Sequence, residues 1–240
     1  MGLPKIDVPT YDFTIPSTGD VIKVRPFNVK EEKLLLLAVE DGKLDNIIST
    51  VKQVINNCIV SGEIDFDKVP YFDIDYLFIF LRGKSIGETQ EIRLTCNNKV
   101  KDIVCGQVFP AQLDIGKVEI VGNKQRTGEI KLDETRKVKM KYPNYSVLKQ
   151  IDQAADIDKK TMLIVNSIEQ IVAGKETFAA KDFTKKELKD FIESLTEEMY
   201  KKLEEWVDSA PGFLAIIDAT CPKCGFEHHV RYADFYDFFT

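Results

Sequence analysis

The sequence predicts an α+β fold, and three features predict it. Apolar residues recur at spacings of three and four through much of residues 28–90 and 144–212, the period of helices with one buried face. Between these stretches, residues 91–141 alternate apolar and polar positions in short runs broken by turn residues, the period of antiparallel strands. Two cysteine pairs, Cys96 with Cys105 and Cys221 with Cys224, sit at the ends of strand-like runs far apart in the chain. With 240 residues, 44% hydrophobic and 30% charged, the chain can bury a real core and is not of disordered composition.

The elements follow in order. Pro4 to Pro16 mixes prolines with Ile6, Val8, Tyr11 and Phe13 and reads as an extended arm, either an edge strand or a segment lying along a partner. Thr18-Gly19-Asp20 is a turn, Val21 to Arg25 a strand, and Pro26 its end. Asn28 with Glu31 forms a capping box ahead of Leu34 to Val39. Leu44, Ile47, Ile48, Val51, Val54, Ile55, Cys58 and Ile59 share one helical face, which makes Cys58 a packed core thiol. A third helix runs from Asp73 to Leu81 with Ile74, Leu77, Phe78 and Leu81 inward, closed by Gly83 and Gly87.

Strands are expected at Glu91 to Thr95, Val108-Phe109, Val118 to Val121, Glu129 to Leu132 and Lys137 to Met140. The strand and proline of Val21 to Pro26 echo faintly in Lys137 to Pro143, so the second helical half begins as the first did. Its helices carry Met162, Val165, Ile168 and Val172, ending at Gly174; then Leu188, Phe191, Ile192 and Leu195 behind a Thr184–Glu187 capping box; then Met199, Leu203, Trp206 and Val207 behind Thr196. Leu214 to Thr220 and Phe226 to Arg231 return to strand. The organisation is an arm, strand and helices over 1–90, a β region with the first cysteine pair over 91–143, a helical region over 144–212, and the second pair with an aromatic end over 213–240, integrated as one unit.

The run Cys221-Pro222-Lys223-Cys224-Gly225 has the spacing of a zinc knuckle, in which one tight turn offers two thiolates. Flanked by two strands, it is half of a zinc ribbon. Cys96 and Cys105 are the candidates for the other half, although eight residues separate them where two to four are usual. His228 is an alternative fourth ligand, and a set of free buried thiols is the alternative to any metal. Four thiolates leave no open position, so the zinc expected here is structural.

Other chemistry finds little support. Only two histidines exist, adjacent at His228 and His229, and no phosphate-binding loop, His-Glu-x-x-His or Gly-x-Gly-x-x-Gly is present, so an enzyme is not expected. The net charge of −6 disfavours wholesale nucleic-acid binding. The local exception is a basic stretch with Lys124, Arg126, Lys131, Arg136, Lys137 and Lys139, which supports a zinc-ribbon nucleic-acid-binding factor as the competing function. No apolar run approaches the roughly 20 residues that span a bilayer, and residues 1–20 read as lacking a secretory signal, which points to a reducing cytosol where cysteines favour metals over disulfides. The aromatics Tyr232, Phe235, Tyr236, Phe238 and Phe239 either cover the chain's own core or dock into a neighbour.

Four stretches carry a family resemblance: the arm Leu3 to Tyr11, the run Arg25-Pro26-Phe27-Asn28-Val29-Lys30-Glu31-Glu32-Lys33-Leu34-Leu35-Leu36, Lys139 to Pro143, and Cys221 to Gly225 with the Asp237-Phe238-Phe239 ending. Together they resemble the baseplate hub and hub-assembly proteins of T4-type contractile-tailed bacteriophages. The resemblance spans almost the whole chain. It implies a late protein of the virion, assembled in the host cytoplasm into the central hub of the tail baseplate. Its implied partners are other hub and tail proteins, with no small-molecule substrate and no membrane.

Overall fold

The computed structural model describes residues 7–122, 127–152 and 156–232. Strands β1 (Tyr11–Thr14) and β2 (Val21–Val24) form a hairpin, followed by helices α1 (Val29–Asp41) and α2 (Leu44–Cys58) and the short β3 (Ile59–Ser61). β2 is the middle strand of this antiparallel sheet, so the arm beyond Pro9 is an edge strand. Asn28 caps α1 through the expected box with Glu31. Arg25 grips the same Glu31 with both guanidinium ends, at 2.8 and 3.0 Å, and donates to the Asn57 carbonyl. The Arg25-to-Glu31 run therefore ties β2, α1 and the end of α2 through one buried carboxylate, which Arg25 above all holds below its ordinary pKa.

Helix α3 (Tyr71–Ile86) passes through the middle of this region, with Ile74, Leu77, Phe78 and Leu81 fully buried. It runs through Gly83 and stops at Gly87, whose φ of 117° ends it. Gly83 does not break the helix, since a single glycine inside a helix costs only about 1 kcal/mol relative to alanine; it packs beside Ile115. Buried Asp73 accepts from both the backbone N–H and the hydroxyl of Ser17, which pins the β1–β2 turn to α3. Ile59, read as the end of the α2 face, instead opens β3 opposite Val24.

The β region distributes its strands among several sheets. β4 (Thr89–Thr95) pairs with β7 (Val108–Asp114), and the hairpin β5 (Lys99–Val100) and β6 (Ile103–Val104) lies between them in sequence. β8 (Glu119–Val121) joins the distant β13 (Gly212–Thr220), which also pairs with β14 (Glu227–Tyr232). β9 (Thr127–Lys131) and β10 (Arg136–Lys141) continue into β11 (Ile168–Ala173) and β12 (Glu176–Ala179) as a four-stranded antiparallel sheet.

Helices α4 (Tyr145–Asp152) and α5 (Asp156–Ser167) precede β11, and α6 (Lys185–Glu193) and α7 (Glu197–Asp208) follow β12. The helix expected to carry Ile168 and Val172 ends at Ser167, and both residues belong to β11. A register shift lies opposite Lys139 and Met140 and breaks the alternation near the start of β11. It places Ile168 and Ile171, three apart, on the same buried side of a strand.

Two apolar clusters result. The first gathers β1 to α3 with β4, β7 and β13; the second gathers β10, β11 and α5 to α7 around Leu132, Val138, Met140, Ile164, Ile192 and Leu203. A row of rings joins them, from Tyr145 through Tyr71, Phe72 and Tyr142 to Trp206, with successive centroids 6.5, 5.9, 5.6 and 4.3 Å apart. No described helix is long and apolar enough to cross a membrane.

Candidate metal centre

The four cysteines named from the sequence converge. The sulfurs of Cys96, Cys105, Cys221 and Cys224 all lie within 4.8 Å of one another. Cys96 Sγ is 3.6 Å from Cys224 Sγ, and Cys105 Sγ is 3.9 Å from Cys221 Sγ. A tetrahedron with zinc–sulfur bonds of ~2.3 Å has edges of ~3.8 Å, which the 3.6 and 3.9 Å separations match. A disulfide would need the sulfurs at ~2.05 Å, and all five cysteines are free thiols. The donor set is four soft ligands, which selects zinc-like metals over magnesium or calcium.

The backbone shows why two unequal spacings deliver one geometry. In the second pair, the Gly225 N–H bonds the Cys221 carbonyl and the Cys221 N–H bonds the Phe226 carbonyl, each at 2.9 Å. In the first pair, Gly106 N–H bonds the Cys96 carbonyl at 2.9 Å and Cys96 N–H bonds the Gln107 carbonyl at 2.8 Å. Each second cysteine is followed by a glycine in the left-handed region, Gly106 at φ 64° and Gly225 at φ 72°, where a Cβ would be strained. The two turns are the same turn. The extra residues between Cys96 and Cys105 leave it as the β5–β6 hairpin, which reverses at Lys101 and Asp102, both at positive φ.

Surrounding groups complete the site. Asn98 donates its side-chain amide to Cys224 Sγ at 3.7 Å, and Lys223 reaches the Cys105 carbonyl at 3.3 Å, so each turn braces the other. The Phe226 N–H bonded to Cys224 holds that thiol down to about 6, favouring thiolate at neutral pH. Burial pushes Cys96 the other way, to about 12. One sulfur is thus poised as an anion while a buried neighbour resists ionising without a cation beside it. A metal cation bound by the four sulfurs would resolve that conflict.

His228 is not a member of the cluster; its buried ring packs against Phe109 and Phe226 at 5.6 and 4.8 Å. Cys58 also stands apart, fully buried in the first core beside Arg25 and pushed up to about 12 by burial. Tyr232 ends β14, but its side chain, together with Phe235, Tyr236, Phe238 and Phe239, lies outside the described residues. So do Lys124 and Arg126. Of the remaining basic candidates, Arg136, Lys137 and Lys139 are ion-paired with Asp133, Glu129 and Glu169. Lys131 is exposed. Asn98 and Gly106 are the site residues that sequence reading passed over. The Cys-Gly step repeated at 105–106 and 224–225 was the available signal.

A family model described as T4 bacteriophage base plate protein matches residues 8–240. Comparison with curated proteins and with solved structures gives no match. Because the family match runs from β1 past both cysteine turns, the chain belongs to the T4 bacteriophage base plate protein family, whose members are built into the baseplate of the virion tail after assembly in the host cytoplasm.

Proposed function

We propose that this chain is a non-enzymatic structural or assembly subunit of the central hub of the contractile tail baseplate. A structural zinc ion held by Cys96, Cys105, Cys221 and Cys224 locks its fold. The family match over residues 8–240 supports the baseplate role. The hub assignment rests on the resemblance in the Arg25-to-Leu36 run, which forms the Arg25–Glu31 junction. The single observation that carries the metal is the convergence of four sulfurs from turns more than a hundred residues apart.

Zinc in this site would do no bond-making chemistry, because four protein ligands fill its tetrahedron. It would act as a cross-link, holding β4–β7 against β13–β14 so that the surfaces offered to other baseplate proteins keep one shape. The edge strand β1 and the aromatic C-terminal segment with Tyr232, Phe235, Tyr236, Phe238 and Phe239 are the proposed contacts with neighbouring hub proteins. The role is tested by fractionating infected-cell lysates into hub intermediates and finished tails and probing each for the chain. Recovery with hub-containing particles is expected; absence from both would refute the hub reading.

A further inference from the structure

β10, β11, the end of β12 and the start of α6 enclose a cleft of about 630 Å³. Three ammonium groups surround it: Lys141 at the end of β10, Lys181 in the turn after β12, and Lys185 as the first residue of α6. Among the described residues, none of these three lysines has an ion-pair partner. Their neighbours differ: Lys137 is paired with Glu129 and Lys139 with Glu169. Glu169 is the carboxylate lining the cleft, and Lys139 already engages it at 3.0 Å. Partial burial, then repulsion from Lys141, lowers the pKa of Lys185, which places the two ammonium groups near one another. The walls are otherwise apolar or amide: Ile168 is buried, the Asn166 side chain is 7% exposed, and Phe183 shows 39% of its surface.

We propose that this cleft binds an acidic peptide segment of a neighbouring protein, with two or more carboxylates reaching Lys141, Lys181 and Lys185 and an apolar side chain lying on Phe183. Protein carboxylates fit better than a phosphate backbone. A nucleic acid tracks a continuous basic surface, and here the adjoining lysines of β10 are neutralised by carboxylates while Glu169 lines the cleft itself. A short segment alternating acidic and apolar side chains matches both the charge and the exposed ring. The cleft shares no residue with the sulfur cluster, so its failure would leave the zinc reading untouched.

The test uses the full chain and a fluorescein-labelled peptide, Glu-Glu-Phe-Glu-Glu, followed by fluorescence anisotropy at low salt. Saturable binding that weakens as salt rises is expected. The pair Lys141→Glu with Lys185→Glu should reduce affinity by about 10-fold, since each exposed pair is worth well under a decade but reversal turns both attractions into repulsions. Phe183→Ala should weaken it less, and Lys175→Glu, in the β11–β12 turn outside the cleft, should leave it unchanged. The milder Lys141→Gln and Lys185→Gln variants, checked for native circular dichroism, guard against misfolding. No binding, or binding indifferent to these lysines, would overturn the proposal. Tighter binding of duplex DNA of about 20 base pairs through the same lysines would also overturn it, in favour of a polyanion surface.

Discussion

The two apolar cores are closed by different means. The second draws almost all of its residues from 132–207, within which each strand and helix meets a near neighbour, and packing alone completes it. Trp206 stacks on Tyr142 at 4.3 Å, and a Cβ on Gly128 would fall 2.2 Å from the indole nitrogen, so the ring sits directly on the β9 backbone. The first core must bring β13 back to β8 across the entire second core, with Val121 opposite Gly212. That closure loses more chain entropy and joins short strands. At the other end of β13, just past Thr220, the four sulfurs join it to the turn between β4 and β7. Local closure here relies on shape; with zinc in the proposed site, distant closure would rely on ligand chemistry.

The sharpest way to break that contrast is to remove the metal ligands from one side. Cys221→Ser should abolish zinc retention and expose the amides of β4, β7, β13 and β14 to hydrogen exchange, because binding energy at such a site is folding energy. Trp206, the only tryptophan, reports on the second core and should keep its native fluorescence. Simultaneous loss of both signals would show that the cores do not differ in this way.

The reverse experiment overfills the second core. Gly128→Ala should destabilise the protein by about 1–3 kcal/mol, the usual range for forced overpacking, and shift Trp206 emission while zinc content stays constant. Within the first core but away from the metal, Glu31→Gln should cost about 2 kcal/mol in denaturant unfolding by weakening charged hydrogen bonds to Arg25. The pH dependence follows the same contact. Glu31 has its folded pKa depressed, so its contribution is fully present above the unfolded value of about 4.3 and fades as pH falls through the lower folded value. The Gln variant should lose that part of the acid sensitivity. The smallest effect is expected from Thr184→Ala, which removes the α6 cap and should cost about 1 kcal/mol in either assay.

Local chemistry was legible in the sequence wherever a residue acts on its own neighbours. The Asn28–Glu31 and Thr184–Glu187 boxes, the buried face of α2 and the tight turn at Cys221 all form as their spacing predicts. The failures have structural causes. Ile168 follows Val165 at a helical spacing, and a register shift in β11 puts Ile168 and Ile171, again three apart, on one buried side, so the start of the strand keeps a helical period. Gly83 resembles a stop, but its conformation is helical and the helix is held through it by the buried residues on either side. The wide Cys96–Cys105 spacing raised doubt about the shared site because a hairpin inserted into an otherwise identical turn looks, in one dimension, like a different motif. The lysine cleft was invisible for a similar reason: Lys141 and Lys185 are 44 residues apart and become neighbours only through β11 and β12.

The most direct test of the clamp is the zinc content of the purified chain and of its Cys96→Ser, Cys105→Ser, Cys221→Ser and Cys224→Ser variants, with His228→Ala alongside. One zinc per chain is expected, lost in each of the four serine variants and kept in His228→Ala. A chain that holds no zinc, or one that keeps it without Cys96 and Cys105, would contradict a four-cysteine clamp between the middle of the chain and its C-terminal strands.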